Sequence, residues 1–362
     1  MAEGMDVQTT MASGMTTGTP YTLTVVSVVK ACLLAVTTTL ILLGNSLCLI
    51  VLRYTHDGVS PVTKLFLISL TISDLLVGVL VGVPVVGSTA LQGWPYGDAY
   101  CTVVAMCHAL YFNAGMSVLA INIERYIAVI WPLRYPSIVT MTRAVIAEVC
   151  IICILVVWTL LYVLIPNRSA FYYSNFNLCF IDSDEGNDVM GQLGMTLFIA
   201  LPMLITVMLH IRLFFLATRH ASKVGNITLG DINSTSGASQ NSESDVGQRA
   251  QSSPPTQRRE GRQRVNSDRP SPETKAARTF FIMALVAAIS WTPYYTTISW
   301  ENFREEEVPE ALAFVAQILL LLNSLWNVVI YYARNDAFRK TANRLLGCCF
   351  RVHSTNGEVL IP

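Results

Sequence analysis

The sequence predicts an all-α membrane protein, a seven-transmembrane helix bundle with its N-terminus outside the cell. Three observations predict this fold class. Of the 362 residues, 52% are hydrophobic and only 13% are charged, whereas soluble domains carry about 25% charged residues. Seven segments stay apolar over the roughly 20 residues that a helix needs to cross a bilayer. The basic residues also fall almost entirely on one side of the resulting topology.

The seven apolar segments differ in how continuous they are. Six are uninterrupted, and the seventh contains Asn323, Ser324 and Asn327, polar residues of the kind that face the bundle interior when they occur within a span. The predicted spans are about Val25–Arg53, Val62–Thr89, Cys101–Ile130, Ala144–Ile165, Val189–Ala217, Ala276–Ser299 and Leu312–Ala333.

The orientation follows from the lysines and arginines. With the N-terminus outside, only Lys30, Arg168 and Arg304 of the 24 basic residues lie in or near outer segments. The reverse orientation would place nearly all of them outside, against the positive-inside rule. The N-terminus is therefore predicted to be extracellular and the C-terminus cytoplasmic. Acidic runs in the outer loops are interpreted as solvated loop.

The segments outside the bundle have distinct compositions. Residues 1–24 predict an extracellular tail without the basic region of a cleaved signal peptide. Within the seven-helix domain of residues 25–334, residues 219–272 or so are dense in Ser, Gln, Asn and Pro, which is typical of a disordered third cytoplasmic loop. Residues 335–347 have the amphipathic pattern of a helix on the inner membrane surface, and residues 348–362 form a cytoplasmic tail. Cys348 and Cys349 are candidates for palmitoylation, with two free thiols as the open alternative.

The sequence lacks the patterns of several other protein classes. It has no metal-ligand spacing and no nucleophile–base constellation in the spans, so we do not expect an enzyme. A transporter would show internal repeats and charged or broken helices at the midplane. Of these features, the sequence shows only one charged residue near the midplane, Asp74. A nucleic-acid partner is not expected.

Motifs at fixed places in the spans identify a family. The acid–arginine pair Glu124-Arg125-Tyr126 lies at the inner end of the third span. The other motifs are Gly44–Ser46, Leu70–Leu76, Trp94 before Cys101, Trp158, Pro202, Ser290–Pro293 and Asn323–Tyr331. Over about Thr24–Cys349, apart from the long inner loop, this set resembles the rhodopsin-like (class A) G-protein-coupled receptors.

The resemblance implies a plasma-membrane, multi-pass receptor and its partners. An extracellular ligand would shift the helix bundle so that it activates a heterotrimeric G protein. Arrestin and receptor kinases are expected to act through the third cytoplasmic loop, and membrane lipid surrounds the spans. The alternative left open is a receptor-like protein that signals constitutively or scaffolds without agonist, and a transporter ranks below both.

The family's switch maps onto the inner ends of the spans. In the resting receptor, Arg125 would pair with Glu124 and with Glu273, which lies twenty residues before Pro293. This lock would hold spans three and six together until an agonist releases it. The other residues expected in the switch and in G-protein coupling are Tyr126, Pro132, Leu133 and Tyr331.

A polar network is expected at mid-membrane around Asp74. Its predicted members are Asn45, Asn323, Ser324 and Asn327, which the resemblance implies as an allosteric sodium site. Ala114 stands where the family has a hydroxyl on span three, so a hydrated network without sodium remains the alternative. We expect no other metal and no other cofactor.

The resemblance also implies covalent features on the outer side. Cys101 and Cys179 are expected to form a disulfide that ties the second outer loop to span three. Asn167 begins the sequence Asn-Arg-Ser, a glycosylation sequon.

The ligand pocket is predicted to be aromatic and mostly uncharged. The outer half of span three lacks the aspartate of an amine receptor, and span seven lacks the lysine that an opsin needs. We therefore expect a neutral or weakly polar small molecule, or a short peptide. The predicted pocket residues are Cys107, His108, Tyr111, Trp291, Tyr294, Tyr295 and Gln317. Three positions depart from the family's pattern, namely His210, Ala287 and Val328.

Overall fold

Each of the seven apolar segments forms a membrane-crossing helix, which confirms the predicted fold class. The computed structural model describes residues 24–55, 59–183, 189–213, 272–304 and 307–354. Seven helices of these ranges are long and apolar enough to cross a membrane. We number them spans one to seven: Val25–Tyr54, Pro61–Leu91, Asp98–Ile130, Met141–Leu164, Val189–Leu213, Phe281–Arg304 and Glu310–Arg334. The predicted N-terminal tail and third cytoplasmic loop lie almost wholly outside the described residues.

Polar side chains cap the first turns of several spans and fix where these helices begin. The Thr24 side chain accepts a hydrogen bond from the Ser27 amide at 3.1 Å, and the Ser27 hydroxyl accepts one from the Thr24 amide at 3.1 Å, which forms a capping box. Ser60 caps span two through the Thr63 amide at 3.1 Å. Thr140 caps span four in the same way. Such caps satisfy amides that the first turn leaves unpaired.

Three spans depart from regular α-helix in their outer halves. Span two widens into a π-turn at Gly78–Gly82, and span five does so at Thr196–Ala200. Span three has a break at Cys107, between the helices Asp98–Met106 and His108–Ile130. Such turns rotate the residues that follow them around the helix axis, and they are frequent near functional sites. They change which side chains share a face in the outer halves of these three spans.

The second outer loop is a β-hairpin that covers the bundle. Strand β1 (Arg168–Tyr173) pairs antiparallel with β2 (Leu178–Ser183), with Tyr172 opposite Cys179. A disulfide joins Cys179 to Cys101, with the two Cα atoms 5.4 Å apart, and so fixes β2 to the start of span three. The hairpin turn carries Phe176, whose side chain is fully buried.

Buried side chains form an outer and an inner cluster along the bundle axis. The outer cluster includes Leu34, Tyr111 and Trp291, and the inner cluster includes Phe66 and Ile121. Span four contributes little to either, because its buried residues are Ala144, Glu148 and Leu155. Most of its remaining apolar side chains point outward, as they do in a helix that faces lipid.

A helix follows span seven, as predicted, but it is longer than its amphipathic pattern suggested. It runs from Asp336 to Ser354 rather than ending at residue 347. Gly347 does not end the helix, so Cys348 and Cys349 lie within it rather than in a tail; their side chains fall outside the described part. Phe338 is buried and stacks edge-to-face on Tyr331 of span seven at 5.2 Å, which docks this surface helix against the bundle.

Candidate functional site

A cavity of about 280 Å³ lies between spans three to six, under the hairpin. It is bounded mainly by aromatic and aliphatic side chains, with a few polar groups near its mouth. Its lining comprises Ala105, Met106, His108, Ala109, Phe112, Trp158, Thr159, Tyr162, Tyr173, Phe176, Phe180, Ile181, Gly191, Gln192, Met195, Tyr294, Ile298, Glu301 and Asn302. Apolar walls with a few polar groups are typical of a small-molecule site.

Two of the seven predicted pocket residues, His108 and Tyr294, line this cavity. Tyr111 and Trp291 lie beneath it, with their rings edge-to-face at 5.6 Å, and Trp291 meets Tyr294 in the same way at 6.1 Å. All three rings are almost fully buried. They pack on one another and close the bundle below the cavity, which removes Tyr111 and Trp291 from its wall.

The remaining three predicted residues also lie off the cavity wall. Cys107 falls at the break in span three and packs partly against the outer cluster. The Tyr295 hydroxyl lies 3.3 Å from the Thr196 hydroxyl, at the contact between spans five and six. Gln317 is buried on span seven, and its amide has no hydrogen-bond partner within the described ranges. Sequence spacing does not show these positions.

His108 lines the cavity and has one unpaired hydrogen-bond acceptor. Its Nδ1 lies 2.7 Å from the carbonyl oxygen of Ala105, so the neutral ring carries its proton on Nδ1 and leaves Nε2 as an acceptor. Nε2 is buried and has no partner among the described residues. The ring stacks on Phe180 of the hairpin with centroids 5.1 Å apart. His108 is thus held in place by packing while one polar atom remains unpaired.

Several cavity residues were missed in the sequence. Phe176 and Phe180 come from the hairpin, which the disulfide draws over the bundle. Gln192 of span five donates to the Ser299 hydroxyl at 2.8 Å. Glu301, in the last turns of span six, accepts from the Val308 amide at 3.0 Å. The cysteine in β2 was the available signal for Phe180, because a tethered strand brings its neighbours to the same place.

At the opposite end of the bundle, Glu124 and Arg125 form the predicted ion pair. The Arg125 Nη2 lies 2.6 Å from Glu124 Oε1, and the Nε lies 2.5 Å from Oε2. Ser60 and Thr63, at the start of span two, each donate to Glu124 at 3.0 Å. Arg125 in turn donates to both hydroxyls. Glu124 and Arg125 are therefore bound both to each other and to the start of span two.

Tyr135, in the second inner loop, completes this cluster. Its hydroxyl donates to Glu124 Oε1. Burial raises the pKa of Tyr135 above its ordinary value, and the hydrogen bond to Glu124 raises it further. Since a raised pKa keeps the phenol protonated at neutral pH, Tyr135 remains a donor to the carboxylate. Ser60, Thr63 and Tyr135 were absent from the sequence prediction. Ser60 and Thr63 are more than 60 residues from Glu124 in the chain, and Tyr135 reaches it from the inner loop after span three.

The other predicted switch residues lie around this cluster with different exposures. Leu133 is 97% exposed, next to the exposed Pro132, on the inner loop after span three. Tyr126 is half-buried, and Tyr331 is buried. Glu273 lies in helical backbone, but its side chain is outside the described part, so its contact with Arg125 stays a prediction.

The polar network around Asp74 is brought together in part. The Asn327 amide donates to Asp74 Oδ2 at 3.1 Å, and Asn45 donates to the Ser324 carbonyl at 3.1 Å. Asp74, Asn323 and Ser324 are buried. The Oδ1 atom of Asn45 has no partner within the described ranges. Carboxylate and amide oxygens are the ligand types that a small hard cation prefers, and Ala114 provides no ligand from span three.

The three departures from the family's pattern have visible contacts. His210 packs its ring against Phe281 of span six with centroids 4.9 Å apart. Ala287 is buried in the outer cluster without an aromatic ring. Val328 replaces a proline, and span seven runs as one unbroken α-helix from Glu310 to Arg334. A proline there would remove a helical hydrogen bond.

Comparison with known proteins agrees with this geometry. Residues 44–331 match the model of the 7 transmembrane receptor (rhodopsin family). The histamine H2 receptor of Rattus norvegicus is 26% identical over 90% of this chain and 82% of its own length. The alpha-1A adrenergic receptor of Bos taurus is 26% identical over 84% of this chain and 64% of its own length.

A third relative, G-protein coupled receptor 161 of Xenopus tropicalis, is 28% identical over 86% of this chain and 58% of its own length. These relatives are receptors and not enzymes. The family match covers far more than half of the chain and includes both the ion pair and the polar network. The chain therefore belongs to the rhodopsin family of seven-transmembrane receptors, and it is a multi-pass G-protein-coupled receptor of the plasma membrane.

Proposed function

We propose that the receptor is gated by a neutral or weakly polar small molecule that binds in the outer cavity and activates a heterotrimeric G protein. The observation that carries this proposal is the unpaired His108 Nε2 at a mainly apolar cavity of about 280 Å³. A ligand hydroxyl or N–H would satisfy that acceptor, and the aromatic walls would bury the rest of the ligand. The volume suits a small molecule better than a short peptide.

A screen of a chemical library against several G-protein reporters tests the proposal. Hits should lose affinity by about tenfold or more in His108→Phe, because the ring still stacks on Phe180 while the acceptor is gone. Tyr295→Phe is the matched control, since Tyr295 lies off the cavity wall. Hits that bind His108→Phe as tightly as wild type would contradict the proposed anchor.

An amine is the second candidate ligand. Two of the relatives are named as histamine and adrenergic receptors, and Glu301 is an acid among the residues that line the cavity. It lies on span six rather than span three, so an amine would be held from the other side of the cavity. Glu301→Gln separates the candidates, because it should abolish binding of a cationic amine and leave a neutral ligand within about threefold.

Constitutive signalling is the alternative that a specific contact supports. The fully buried Phe176 ring meets Tyr294 edge-to-face at 6.0 Å, where a bound ligand would otherwise make contact. If this contact acts as a built-in agonist, Phe176→Ala lowers agonist-free signalling toward the vector control. If the wild-type receptor, at verified surface expression, shows no more agonist-free signalling than cells that carry the empty vector, this alternative is wrong.

Coupling to the G protein is proposed to run through the Arg125 cluster. Release of Arg125 would let span six move outward, and the exposed Pro132 and Leu133 would contact the G protein. The expected second partner of Arg125 in the resting state is Glu273. Glu273→Ala should then raise basal signalling at equal surface expression, whereas its neighbour Thr274→Ala should not. Unchanged basal activity in Glu273→Ala would count against the lock.

Further features of the family are proposed for this chain. A sodium ion at Asp74 would supply the countercharge that a buried carboxylate needs. Arrestin and receptor kinases would act through the third cytoplasmic loop, and lipid would contact the outward face of span four. Asn167, exposed where span four turns into β1, would carry a glycan. Palmitoylation of Cys348 and Cys349 would anchor the surface helix.

A further inference from the structure

A second buried acid lies inside the membrane, away from the ligand cavity and from Asp74. Glu148 is on span four, seven residues after Met141, where the span begins. At 1.5 Å per residue, this places Glu148 about 10 Å along the helix axis. Its side chain is only 6% exposed, whereas the neighbouring Val149 is 53% exposed and faces outward. Glu148 therefore turns toward the bundle from a helix whose other side faces lipid. An ionisable residue in such a place usually has a function.

Glu148 belongs to a polar cluster that joins spans two, three and four. The Ser69 hydroxyl of span two donates to Glu148 Oε1. Asn113 of span three donates through Nδ2 to the hydroxyls of Ser69 and Ser73, at 3.1 and 2.8 Å. These bonds use both hydrogens of the Asn113 amide and fix the positions of the carboxylate and the amide relative to each other.

Three buried oxygen atoms remain unpaired around this cluster. Glu148 Oε2, Asn113 Oδ1 and Ser117 Oγ have no hydrogen-bond partner within the described ranges. Ser117 is fully buried and lies one helical turn after Asn113, on the same face of span three. Buried polar atoms are normally satisfied, and each one left unpaired costs about 1–3 kcal/mol. The orphaned oxygens therefore indicate a missing partner.

The charge of the cluster restricts what that partner can be. No ion pair of the described residues involves Glu148, and a carboxylate buried without a countercharge is strongly disfavoured. A proton or one monovalent cation neutralises it, whereas a divalent ion would leave a net positive charge in apolar surroundings. A proton adds a single hydrogen-bond donor, whereas a cation can contact all three unpaired oxygens. Carboxylate, amide and hydroxyl oxygens are the ligands that hard cations prefer.

We propose that this cluster binds a sodium ion, with Glu148 as its charged ligand and with Asn113 and Ser117 as neutral ligands. Ser69 and Ser73 hold the ligands in place. The site differs from the network of Asp74, because Asp74 contacts Asn327 of span seven, whereas this cluster faces spans three and four. Its effect is to bind spans two, three and four together. It does not depend on the identity of the receptor's ligand.

Thermal unfolding of the full-length receptor in lipid discs tests the proposal. Asp74→Asn serves as the background, so that the other acid cannot contribute. At fixed pH and ionic strength, replacing choline chloride with sodium chloride should raise the Tm of Asp74→Asn. The double variant with Glu148→Gln should show no such rise, although glutamine can still accept from Ser69.

Two outcomes overturn the site. One is the absence of a sodium-specific rise in Asp74→Asn, since Glu148 would then hold a proton rather than sodium. The other is a rise that persists in the double variant.

Ser117→Ala in the Asp74→Asn background guards against misfolding of the double variant. Its hydroxyl makes no hydrogen bond within the described ranges, so the change should fold. Relative to Asp74→Asn alone, this variant should need about ten times more sodium to reach half of the full rise in Tm. A tenfold weaker affinity corresponds to about 1.4 kcal/mol of binding free energy. An unchanged midpoint overturns the assignment of Ser117 as a ligand.

Discussion

At the scale of single residues, the inner end of span three is built from contacts that span great distances in the chain. Glu124 is almost fully buried, yet its carboxylate receives donors from Arg125, Ser60, Thr63 and Tyr135. Charge-assisted hydrogen bonds of this kind are stronger than neutral ones. The burial of an acid at this position is therefore stable because it is fully satisfied.

Replacing Tyr135 with Phe tests how much one donor contributes. The change removes a hydrogen bond to a buried carboxylate, which should lower the free energy of unfolding by about 1–2 kcal/mol. The readout is the Tm of the purified receptor. Tyr332→Phe is the matched control, because the Tyr332 hydroxyl donates to Asn343 at 2.8 Å in an exposed position, where water can replace it. Equal Tm values for the two variants would contradict this assignment.

The sequon at Asn167 gives a second prediction at this scale. Because its side chain is exposed on the outer side, enzymatic removal of N-glycans should increase the electrophoretic mobility of wild-type receptor from mammalian cells. Asn167→Gln should migrate at the deglycosylated position without treatment. Asn226 begins a second sequon, Asn-Ile-Thr, in the predicted third cytoplasmic loop, so Asn226→Gln should leave the pattern unchanged. If Asn226→Gln, rather than Asn167→Gln, abolishes the mobility shift on deglycosylation, the predicted cytoplasmic position of that loop is wrong.

At the scale of the elements, the outer half of the bundle depends on close approaches between helices. Gly194 of span five lies against the Trp158 indole of span four, and a Cβ added at Gly194 would come within 2.8 Å of Trp158 Nε1. Trp158 also meets Phe198 edge-to-face at 5.3 Å. A tryptophan ring cannot yield as a flexible side chain would, so only glycine fits this contact.

Gly194→Ala should consequently destabilise the receptor. Overpacking of a tight contact costs about 1–3 kcal/mol, and the displaced indole would intrude into the cavity. A lower Tm than that of wild type is expected in a thermal unfolding assay. Gly347→Ala in the surface helix is the control, since a Cβ there meets no atom within 4 Å. A Gly194→Ala receptor as stable as this control would show that spans four and five adjust freely.

The elements show which features could be predicted from the sequence. The seven spans were predictable because hydropathy averages over a whole helix, and the disulfide followed from the family resemblance. Cavity residues were harder, because Phe176 and Phe180 come from the hairpin, and because Tyr111 and Trp291 pack on each other beneath the cavity instead of lining it. Glu148 went unnoticed because a single acid hardly changes the average of an apolar segment. Ser69 and Asn113 lie far from Glu148 in the chain, so only the folded structure shows that the three residues form one cluster.

At the scale of the whole molecule, the outer cavity and the inner ion pair are separate sites at the two ends of one bundle. The aromatic layer of Tyr111, Trp291 and Tyr294 lies between them, continuous with the buried residues of spans three, six and seven. Energetic coupling of distant sites requires an element with two arrangements that both sites bias. Spans three and six are the candidates, since each contributes to the cavity and reaches the inner side.

The proposed G-protein contact at Leu133 can be tested through basal signalling, which needs no known ligand. If basal signalling is too weak to measure, a hit from the ligand screen serves as the agonist. Leu133→Ala removes an apolar side chain that is 97% exposed on the inner loop, so it should not affect folding. Nucleotide exchange on the G protein should fall about tenfold, as expected for loss of an apolar anchor at an interface. Tyr54→Ala, 58% exposed at the inner end of span one, should have little effect. Equal losses in the two variants would exclude a specific role for Leu133.

The unbroken span seven has a consequence for how the receptor moves. With Val328 in place of a proline, each backbone amide along Glu310–Arg334 can keep its helical partner. The segment then lacks a hinge and should shift as a rigid lever, carrying Tyr331 and the docked surface helix together. Amide hydrogens near Val328 should accordingly exchange with deuterium as slowly as those elsewhere in the span. Val328→Pro should locally accelerate that exchange and decouple the two halves.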